Sequence, residues 1–264
     1  MNKKSIVITG STRGIGLGLA SEFLKRGCQV TINGRSDESI ERALELIGKD
    51  FVPTNIIGEP GDVSDPQTHQ AIWDRAKAAF GQVDIWINNA GIGHPMEMIW
   101  ELPVETIHQV VDINLKGLIF GSQTAVRGMM KQGYGHIYNM EGAGSSGRIH
   151  AGISIYGTTK AALRYFSTSL TAETEGTPLK VSTLSPGMVV TDMITGQYKD
   201  DPQGLEGAKK ILNIIGDKVE TVTPWLVDQV LNNEKSGAKI NWLTPAKLMY
   251  RFATARFNHR DLFS

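Results

Sequence analysis

The architecture of this chain can be read from one segment near its start, Ser5-Ile-Val-Ile-Thr9-Gly10-Ser-Thr-Arg-Gly14-Ile-Gly16. Its first residues are apolar and mostly β-branched, which is typical of a buried strand, and Gly10 ends the run. Apolar residues then recur at helical spacing as far as Leu24. Residues 28–33 are predicted to form a second strand. A strand, a glycine-rich turn, a helix and a strand make a βαβ unit, which is typical of α/β folds.

The three glycines of the turn indicate a nucleotide site. Glycine permits a sharp bend and lets a pyrophosphate approach the backbone, where a helix N-terminus favours anions. The spacing G-x-x-x-G-x-G differs from the G-x-G-x-x-G fingerprint, and glycine-rich turns also occur without a ligand. The position inside a βαβ unit favours nucleotide binding. We therefore expect cofactor contacts from Gly10, Ser11, Thr12, Arg13, Gly14, Ile15 and Gly16.

The end of the second predicted strand indicates which cofactor binds. NAD sites place a carboxylate there for the ribose 2′-hydroxyl. This chain instead has Gly34 followed by Arg35. A guanidinium suits a 2′-phosphate, and Arg13 adds a second cation from the glycine turn. We predict NADPH as the cofactor; the alternative is that both arginines are solvated surface residues.

The rest of the chain continues the alternation of strands and helices. Strands are predicted at 51–57, 82–87, 135–139, 179–184 and 239–243, and helices at 38–49 with Asp37 as the cap, at 103–112, at 113–131 and from Pro245 onward. The pattern predicts one α/β domain over residues 1–264, a doubly wound Rossmann fold with a mainly parallel sheet of about seven strands. Residues 190–220 are predicted to form a mobile substrate lid. Residues 245–264 are predicted to be a C-terminal helix and tail.

The composition argues against several classes of protein. The 27 basic and 27 acidic residues balance, so nothing indicates a nucleic-acid partner. One cysteine and six histidines without ligand spacing indicate neither a disulfide nor a metal site. The apolar run at 6–8 is too short for a signal peptide or a membrane span. We expect a cytoplasmic protein without an integral membrane segment that acts on a small-molecule substrate.

Several residues lie just after predicted strands, at the edge where doubly wound sheets bind ligands. Asp62, with Val63 beside it, is placed to accept a hydrogen bond from an adenine amino group, although a role as a loop or helix cap is equally consistent. Asn89, Ala90 and Gly91 follow the fourth predicted strand. We expect all five to contact the cofactor.

Tyr156 and Lys160 form the clearest pair of reactive side chains. They are four residues apart at the start of a predicted long helix, so they share one helix face. A cation beside a phenol favours the ionised form and is expected to lower the tyrosine pKa. Such a tyrosine can exchange a proton with a carbonyl or alcohol oxygen. Asn114, a polar residue in an apolar helical stretch, requires hydrogen-bond partners or a function.

Together these motifs resemble the short-chain dehydrogenase/reductase family over about the first 190 residues. The family motifs T-G-x-x-x-G-x-G, N-N-A-G, the helix asparagine, Y-x-x-x-K and P-G fall on residues 9–16, 88–91, Asn114, 156–160 and 186–187. The resemblance implies NAD(P)-dependent hydride transfer to or from a carbonyl carbon. It implies that Tyr156 protonates the alkoxide, and that Lys160 lowers the tyrosine pKa and holds the nicotinamide ribose. It also implies that Asn114 anchors a water that relays protons to Lys160. Further implied cofactor contacts are Tyr156, Pro186, Gly187, Val189 and, for the carboxamide, Thr191.

One position departs from the family pattern. The family usually has a serine about thirteen residues before its tyrosine, and here that residue is Ala143. Either the glycine-rich loop brings Ser145 or Ser146 to the site, or Tyr156 works without a serine. Of these we name Ser145 as the candidate catalytic hydroxyl. Glu141 is a candidate substrate or loop contact, with a capping role as the alternative.

Four segments resemble the chlorophyll(ide) b reductase branch of the family, namely residues 139–145, 156–160, 185–191 and 236–245. Enzymes of this branch reduce the C7 formyl group of the pigment to hydroxymethyl with NADPH. The resemblance implies a chlorophyll-type tetrapyrrole as substrate, and apolar lid residues such as Met188 and Met193 would suit this flat molecule. We expect no transit peptide or membrane helix, which indicates a bacterial relative of these enzymes, with another large aldehyde as the alternative substrate.

Two other functions remain open from the sequence. The first is a generic reductase of ketones, sugars or acyl thioesters. The second is a non-catalytic NADP-binding protein, which the missing serine would suit. Retention of Tyr156, Lys160 and Asn114 argues against a pure binder. Small and apolar residues along the helices of Asn114 and Tyr156 predict a homodimer or homotetramer, since family members commonly pair these helices.

Overall fold

The structure is a computed structural model that describes residues 3–48, 51–199 and 201–263. Its strands are β1 (Ser5–Ile8), β2 (Gln29–Gly34), β3 (Ile56–Pro60), β4 (Ile85–Asn88), β5 (Gly135–Met140), β6 (Leu179–Ser185), β7 (Met188–Val189), β8 (Gly216–Asp217) and β9 (Lys239–Asn241). Within these ranges seven strands form one fully parallel sheet in the order β3-β2-β1-β4-β5-β6-β9. Strands β7 and β8 pair with each other.

The helices cover both faces of this sheet. They are α1 (Gly14–Lys25), α2 (Asp37–Gly48), α3 (Pro66–Phe80), α4 (Val104–Val111), α5 (Gly117–Gln132), α6 (Ser154–Glu173), α7 (Asp192–Thr195), α8 (Pro202–Ile215), α9 (Val219–Asn232) and α10 (Pro245–Thr254). Helices α1, α2 and α9 contribute to one core cluster, and α3, α5 and α6 contribute to another.

The strand sequence explains the two cores. Ile6 and Ile8 belong to the cluster under α1 and α9, whereas Val7 between them belongs to the cluster under α3 and α5. Successive side chains of a strand point to opposite faces, so a strand covered on both faces must be apolar throughout. The doubly wound, parallel fold predicted from the alternation is therefore confirmed.

The third strand differs from its predicted bounds. We predicted 51–57, but β3 runs from Ile56 to Pro60 and follows a 3₁₀ turn at Pro53–Asn55. Pro53 fixes its own φ and favours the turn. Strand β3 lies at the sheet edge and pairs only with β2 among the described strands. A proline can end an edge strand, so Pro60 does not prevent pairing.

Helix α2 is capped one residue earlier than predicted. The Ser36 Oγ accepts a hydrogen bond from the Ser39 N–H at 3.3 Å, and the Ser39 Oγ accepts one from the Ser36 N–H at 3.3 Å. Two reciprocal bonds of this kind satisfy free amides at a helix start. Asp37 is the first helical residue rather than the cap. The predicted end at residue 49 lies outside the described residues.

Two C-terminal features were not predicted. Helix α9 is buried through Val222, Leu226 and Val227 and packs against α1. The side chain of Asp217, only 1 % exposed, accepts hydrogen bonds from Arg251, Arg260 and Trp242 at 2.6–2.9 Å. This cluster joins α10 and the following tail to β8, which lies within the predicted lid, and through the β7–β8 pairing to the residues just before that lid. Across the described ranges, no helix has both the length and the apolar character to cross a bilayer.

Candidate active site

The glycine turn is closed tightly against the end of β4. Gly10 and Gly14 adopt φ values of +59° and +55°, which disfavour other residues. A Cβ at Gly10 would lie 2.7 Å from the Cα of Ala90. The Asn89 amide donates to the carbonyls of Thr9 and Gly10, both at 2.9 Å. Asn89 and Ala90, expected to contact the cofactor, thus also hold the turn in shape.

The N-terminus of α1 is suited to a pyrophosphate. Within the described residues, its N-cap residue Arg13 makes no side-chain capping bond. Amides at such an end favour an anion. Among the residues expected at the cofactor, Ser11 is fully buried and bonds the Ile8 carbonyl at 2.6 Å, and Ile15 packs on the core. Their side chains therefore support the turn, which leaves backbone groups for the ligand.

The end of β2 has no room for a carboxylate. A Cβ at Gly34 would overlap the Thr12 methyl group and lie 2.5 Å from the Ser39 Oγ. Arg13 and Arg35 are both exposed, and neither guanidinium has a hydrogen-bond or ion-pair partner within the described part of the chain. Two unpaired cations beside a carboxylate-free strand end fit a 2′-phosphate.

Asp62 and Val63 continue this side of the cleft. The Asp62 carboxylate accepts hydrogen bonds from the backbone and hydroxyl of Ser64, both at 2.8 Å, so it already caps its loop. Val63 is buried, and its carbonyl lies 2.8 Å from the His69 Nε2. The capping alternative for Asp62 is thus observed.

Asn114, Tyr156 and Lys160 converge beside the end of β4. A Cβ at Gly91 would lie 3.4 Å from the Asn114 Oδ1 and 3.6 Å from the Lys160 Nζ. The Lys160 Nζ lies 5.7 Å from the centre of the Tyr156 ring. Asn114 belongs to a π-helical turn, a distortion frequent at functional sites. Its amide pairs with the backbone of Ile92 at 2.8 and 2.9 Å.

The proton affinities in this group differ from the expected ones. Burial raises the pKa of Tyr156 to about 12, whereas we expected Lys160 to lower it. Burial also lowers the pKa of Lys160 to about 8, against the attraction of the Glu141 carboxylate. The Lys160 ammonium donates to the Met140 carbonyl at 3.0 Å instead of to the phenol. Desolvation of the phenol therefore outweighs the nearby charge.

The loop after β5 favours Ser145 over Ser146 as the hydroxyl near the site. Ser145 is buried and Ser146 is exposed. The Ser145 Oγ accepts a hydrogen bond from the Gly142 N–H at 3.1 Å. A Cβ at Gly142 would contact the Tyr156 hydroxyl, so glycine is needed there. The loop is thus folded against Tyr156, with the proton of Ser145 still available for donation.

Glu141 does not occupy the position expected of a substrate contact. Its side chain is buried and lines a cavity between α6 and β6, which includes neither Tyr156 nor any residue of the glycine turn in the described structure. A contact between Glu141 and a substrate held at Tyr156 is therefore disfavoured. The sequence could not distinguish a buried carboxylate from one that faces the cleft.

The remaining expected residues lie at 186–193, just before and at the start of the predicted lid (residues 190–220). Pro186 and Val189 are buried, Gly187 has φ +74°, and Met188 pairs with Gly216. A Cβ added to Gly14 would lie 3.6 Å from the Thr191 methyl group. The start of the predicted lid therefore reaches the glycine turn. Met193 lies 3.5 Å from the place of a Cβ on Gly93.

His94 is a site residue that sequence analysis missed. It is 4 % exposed, and its Nε2 accepts a hydrogen bond from the Tyr156 N–H at 3.4 Å. Its Nδ1 lies 2.7 Å from the Pro95 carbonyl, which requires a proton on Nδ1. His94 thus positions the first turn of α6. The only sequence signal was its place three residues after the N-N-A-G motif.

Exposed apolar side chains lie on three segments that meet near the start of α6. The loop that follows β4 contacts the loop before α6 and the lid, because Met96 lies 3.5 Å from the place of a Cβ on Gly152 and its N–H bonds the Gln197 carbonyl. Large apolar residues on these three segments are solvent-exposed, with Trp100 at 78 % and Ile149 at 95 %. The others are Met96, Met98, Ile99 and Met193. We call these six residues the apolar rim.

Comparison with known proteins defines the family. The model of the short chain dehydrogenase family matches residues 4–202. The chain belongs to this family and is an oxidoreductase, as its motifs indicated.

Its relatives include plant pigment reductases. It is 34% identical over 272 residues to the probable chlorophyll(ide) b reductase NYC1, chloroplastic, of Oryza sativa subsp. japonica, covering 96% of this chain and 52% of that protein. Over 266 residues it is 34% identical to the chlorophyll(ide) b reductase NOL, chloroplastic, of the same plant, covering 97% and 76%. The chain thus spans about half the length of NYC1. The resemblance to this branch is confirmed.

A solved structure shares the fold. L-sorbose reductase from Gluconobacter frateurii, complexed with NADPH and L-sorbose, superposes with a TM-score of 0.77 and 25% identity. The match covers 91% of this chain and 95% of that one.

Proposed function

We propose that this protein reduces an aldehyde to an alcohol with NADPH, and that the aldehyde is the C7 formyl group of chlorophyll(ide) b or a similar tetrapyrrole. One observation carries the proposal: the exposed side chains of the apolar rim lie on segments that meet next to the start of α6, the helix that bears Tyr156 and Lys160. A large, flat and apolar substrate matches such a surface, because exposed apolar patches of this kind usually bind something. The 34% identity to chlorophyll(ide) b reductases supports the same substrate class.

The residues present fit NADPH. The free amides at the start of α1 suit the pyrophosphate, and the unpaired Arg13 and Arg35 suit the 2′-phosphate. Lys160 and Tyr156 would hold the nicotinamide ribose, and Thr191 would hold the carboxamide. When bound, the cofactor supplies the hydride that adds to the carbonyl carbon.

Tyr156 is the proposed acid. With a pKa near 12 its phenol is fully protonated at neutral pH, which is the form that donates a proton to the developing alkoxide. The ammonium of Lys160 is close enough to stabilise the tyrosinate that remains. Both groups are on α6, which His94 contacts through the Tyr156 N–H and to which the Asn114 amide donates at the Thr159 Oγ1, at 3.3 Å. The hydroxyl of Ser145 is the proposed second donor to the substrate oxygen.

A second candidate is reduction of a small ketone or sugar. The similarity to L-sorbose reductase favours it. A purely NADP-binding role is the third candidate.

One experiment separates the three candidates. The purified protein is incubated with NADPH and, in separate samples, chlorophyllide b, L-sorbose and a small aldehyde, and products are identified by mass spectrometry. We expect 7-hydroxymethyl pigment from the wild type and at least a 100-fold lower rate from Tyr156→Phe. Turnover of the small substrates alone supports the second candidate, and no turnover supports the third. Equal rates for wild type and Tyr156→Phe would contradict the role of this acid.

We further propose that the protein is cytoplasmic and forms a dimer or tetramer. Ala161 and Tyr165 are exposed on α6, whereas Leu163 is buried and Phe166 packs against the core. Light scattering at micromolar concentration should give two or four times the monomer mass. Tyr165→Glu should lower that mass; a monomeric wild type would contradict the prediction.

A further inference from the structure

Glu141 is a buried carboxylate that the proposed mechanism does not use. It directly follows β5, and its N–H donates to the Leu184 carbonyl at 2.7 Å. The residue is 8 % exposed, and its Oε1 finds no hydrogen-bond partner in the described part of the chain. A buried carboxylate oxygen needs a donor, because leaving it unbonded costs free energy. A group other than the described side chains must therefore approach it.

A polar cavity adjoins this carboxylate. The cavity has a volume of about 710 Å³, and we call it the α6–β6 cavity. Hydroxyl side chains from α6 and β6 line it, and a second buried atom without a partner among the described residues, the Thr183 Oγ1, belongs to its wall. Exposed residues such as Glu175 and Ser236 form its outer part. A polar cavity of this size that reaches the surface holds water.

Glu141 also lies near the active-site lysine, Lys160. The Lys160 ammonium donates to the carbonyl of Met140, the residue before Glu141, at 3.0 Å. Lys160 is 5 % exposed and does not line the α6–β6 cavity. The two charged groups attract each other without forming a direct ion pair. Glu141 therefore lies between the buried ammonium and a water-accessible space that the substrate does not share.

We propose that Glu141 passes protons between Lys160 and water in the α6–β6 cavity. The inference rests on the proposed reduction, which consumes one proton for each carbonyl group. Tyr156 gives its hydroxyl proton to the substrate oxygen, and Lys160 restores it. Lys160 then takes a proton from the Glu141 carboxyl through an intervening water, and solvent water reprotonates the carboxylate. One solvent proton balances the proton in the alcohol, and no electron moves along this path.

Glu141 acts through Lys160 and is therefore a positioning residue for the reaction. The charged or titratable groups around it are Lys160 and Arg164 of α6, Tyr156, Glu175, Lys180 of β6 and Lys239 of β9. Arg164 is bonded to the Ser145 carbonyl at 3.1 Å, and it makes no ion pair with Glu141. Glu175 lines the same cavity at its exposed end, which makes Glu175→Gln a matched control.

The first test needs neither substrate nor cofactor. Apo protein carrying ¹³C at the lysine Cε is titrated by NMR, with the Lys160 signal assigned by its loss in Lys160→Arg. We expect the wild-type Lys160 to titrate near pH 8, Glu141→Gln to move the titration to lower pH, and Glu175→Gln to leave it in place. An unchanged Lys160 titration in Glu141→Gln would overturn the proposal, whatever the substrate is.

The second test measures turnover with whichever carbonyl compound the wild type reduces. We expect Glu141→Gln to lower kcat about 10-fold, less than loss of a direct acid, with KM unchanged. Glu141→Asp should recover most of the rate, and formate should restore Glu141→Ala, because it enters an open cavity as a small proton carrier. A raised KM, or no recovery with formate, would contradict the proton path. No turnover by the wild type would instead contradict the proposed function and leave the NMR test valid.

Discussion

Lys160 and Tyr156 show that burial sets the proton affinities at the scale of single residues. The ammonium loses stabilisation when it is removed from water, and the phenol resists ionisation for the same reason. The nearest strong acceptor of Lys160 is the Met140 carbonyl, a neutral group. The lysine pKa of about 8 therefore places its titration close to physiological pH.

The rate of reduction should depend on the charge of Lys160. We expect kcat to be constant below pH 8 and to fall above it, because the neutral amine neither supplies a proton nor stabilises the tyrosinate. In Lys160→Arg the fall should move to higher pH, since a guanidinium stays protonated. A pH–rate profile of both proteins checks this. A decline at the same pH in Lys160→Arg would assign the titration to another group.

Cofactor choice is a second property of single residues. We expect Arg35→Ala to weaken NADPH binding by roughly 10- to 100-fold, because a hydrogen bond to a charged group contributes about 1.5–3 kcal/mol. NADH affinity should change little, since it lacks the 2′-phosphate. Isothermal titration of both nucleotides measures the difference. Arg42→Ala, an exposed arginine on α2, serves as the control, and an equal loss for NADPH and NADH would contradict the assignment.

At the scale of secondary-structure elements, the sequence predicted those strands and helices whose formation depends on the local pattern of residues. The β1–α1–β2 unit follows from apolar spacing and glycine positions, and the motif residues follow from a family resemblance. The bounds of β3 depend on its pairing with β2, a tertiary contact that local pattern does not contain. Helix α9 contains Pro224, which weakens its helical signal. His94 and Glu141 acquire their roles only from burial beside Tyr156 and Lys160.

The contact between α1 and α9 should tolerate no side chain at Gly18. A Cβ there would overlap a Val219 methyl group and lie 2.9 Å from a Thr223 methyl group. We expect Gly18→Ala to lower the free energy of unfolding by about 1–3 kcal/mol, as overpacking does. Gly207→Ala is the matched control, because nothing lies within 4 Å of its added Cβ on exposed α8. That variant should be neutral or more stable by up to about 1 kcal/mol. Urea unfolding measures both, and equal effects would contradict the packing argument.

At the scale of the whole molecule, a buried histidine ties stability to pH. Burial lowers the pKa of His136 to about 3, while its ring bonds the Ser182 Oγ at 2.9 Å and stacks on Tyr138. Between pH 6.5 and about 3 the unfolded chain binds a proton that the folded chain does not. Stability therefore is complete above pH 6.5 and falls as the pH drops through this window.

The loss should approach about 1.4 kcal/mol for each pH unit. We expect His136→Gln to be less stable than the wild type at neutral pH but to lose less stability on acidification. Part of the pH dependence of stability should remain in His136→Gln, because His69 is also buried and has a lowered pKa. Urea unfolding at pH 7, 5.5 and 4.5 measures this, with exposed His108→Gln as the control. Parallel curves for His136→Gln and the wild type would show that His136 does not carry the effect.

The cluster around Asp217 has a consequence for anyone who wishes to exchange substrate preference between relatives. Asp217 belongs to β8, which lies within the predicted lid (residues 190–220), and its carboxylate is bonded by arginines from the last 14 residues of the chain. A chimera that takes only the lid from this protein would bury the Asp217 carboxylate without Arg251 and Arg260. A chimera that takes only the C-terminal tail would leave these two arginines without the carboxylate. The two segments form one transplantable cassette, and a chimera must inherit both from the same parent.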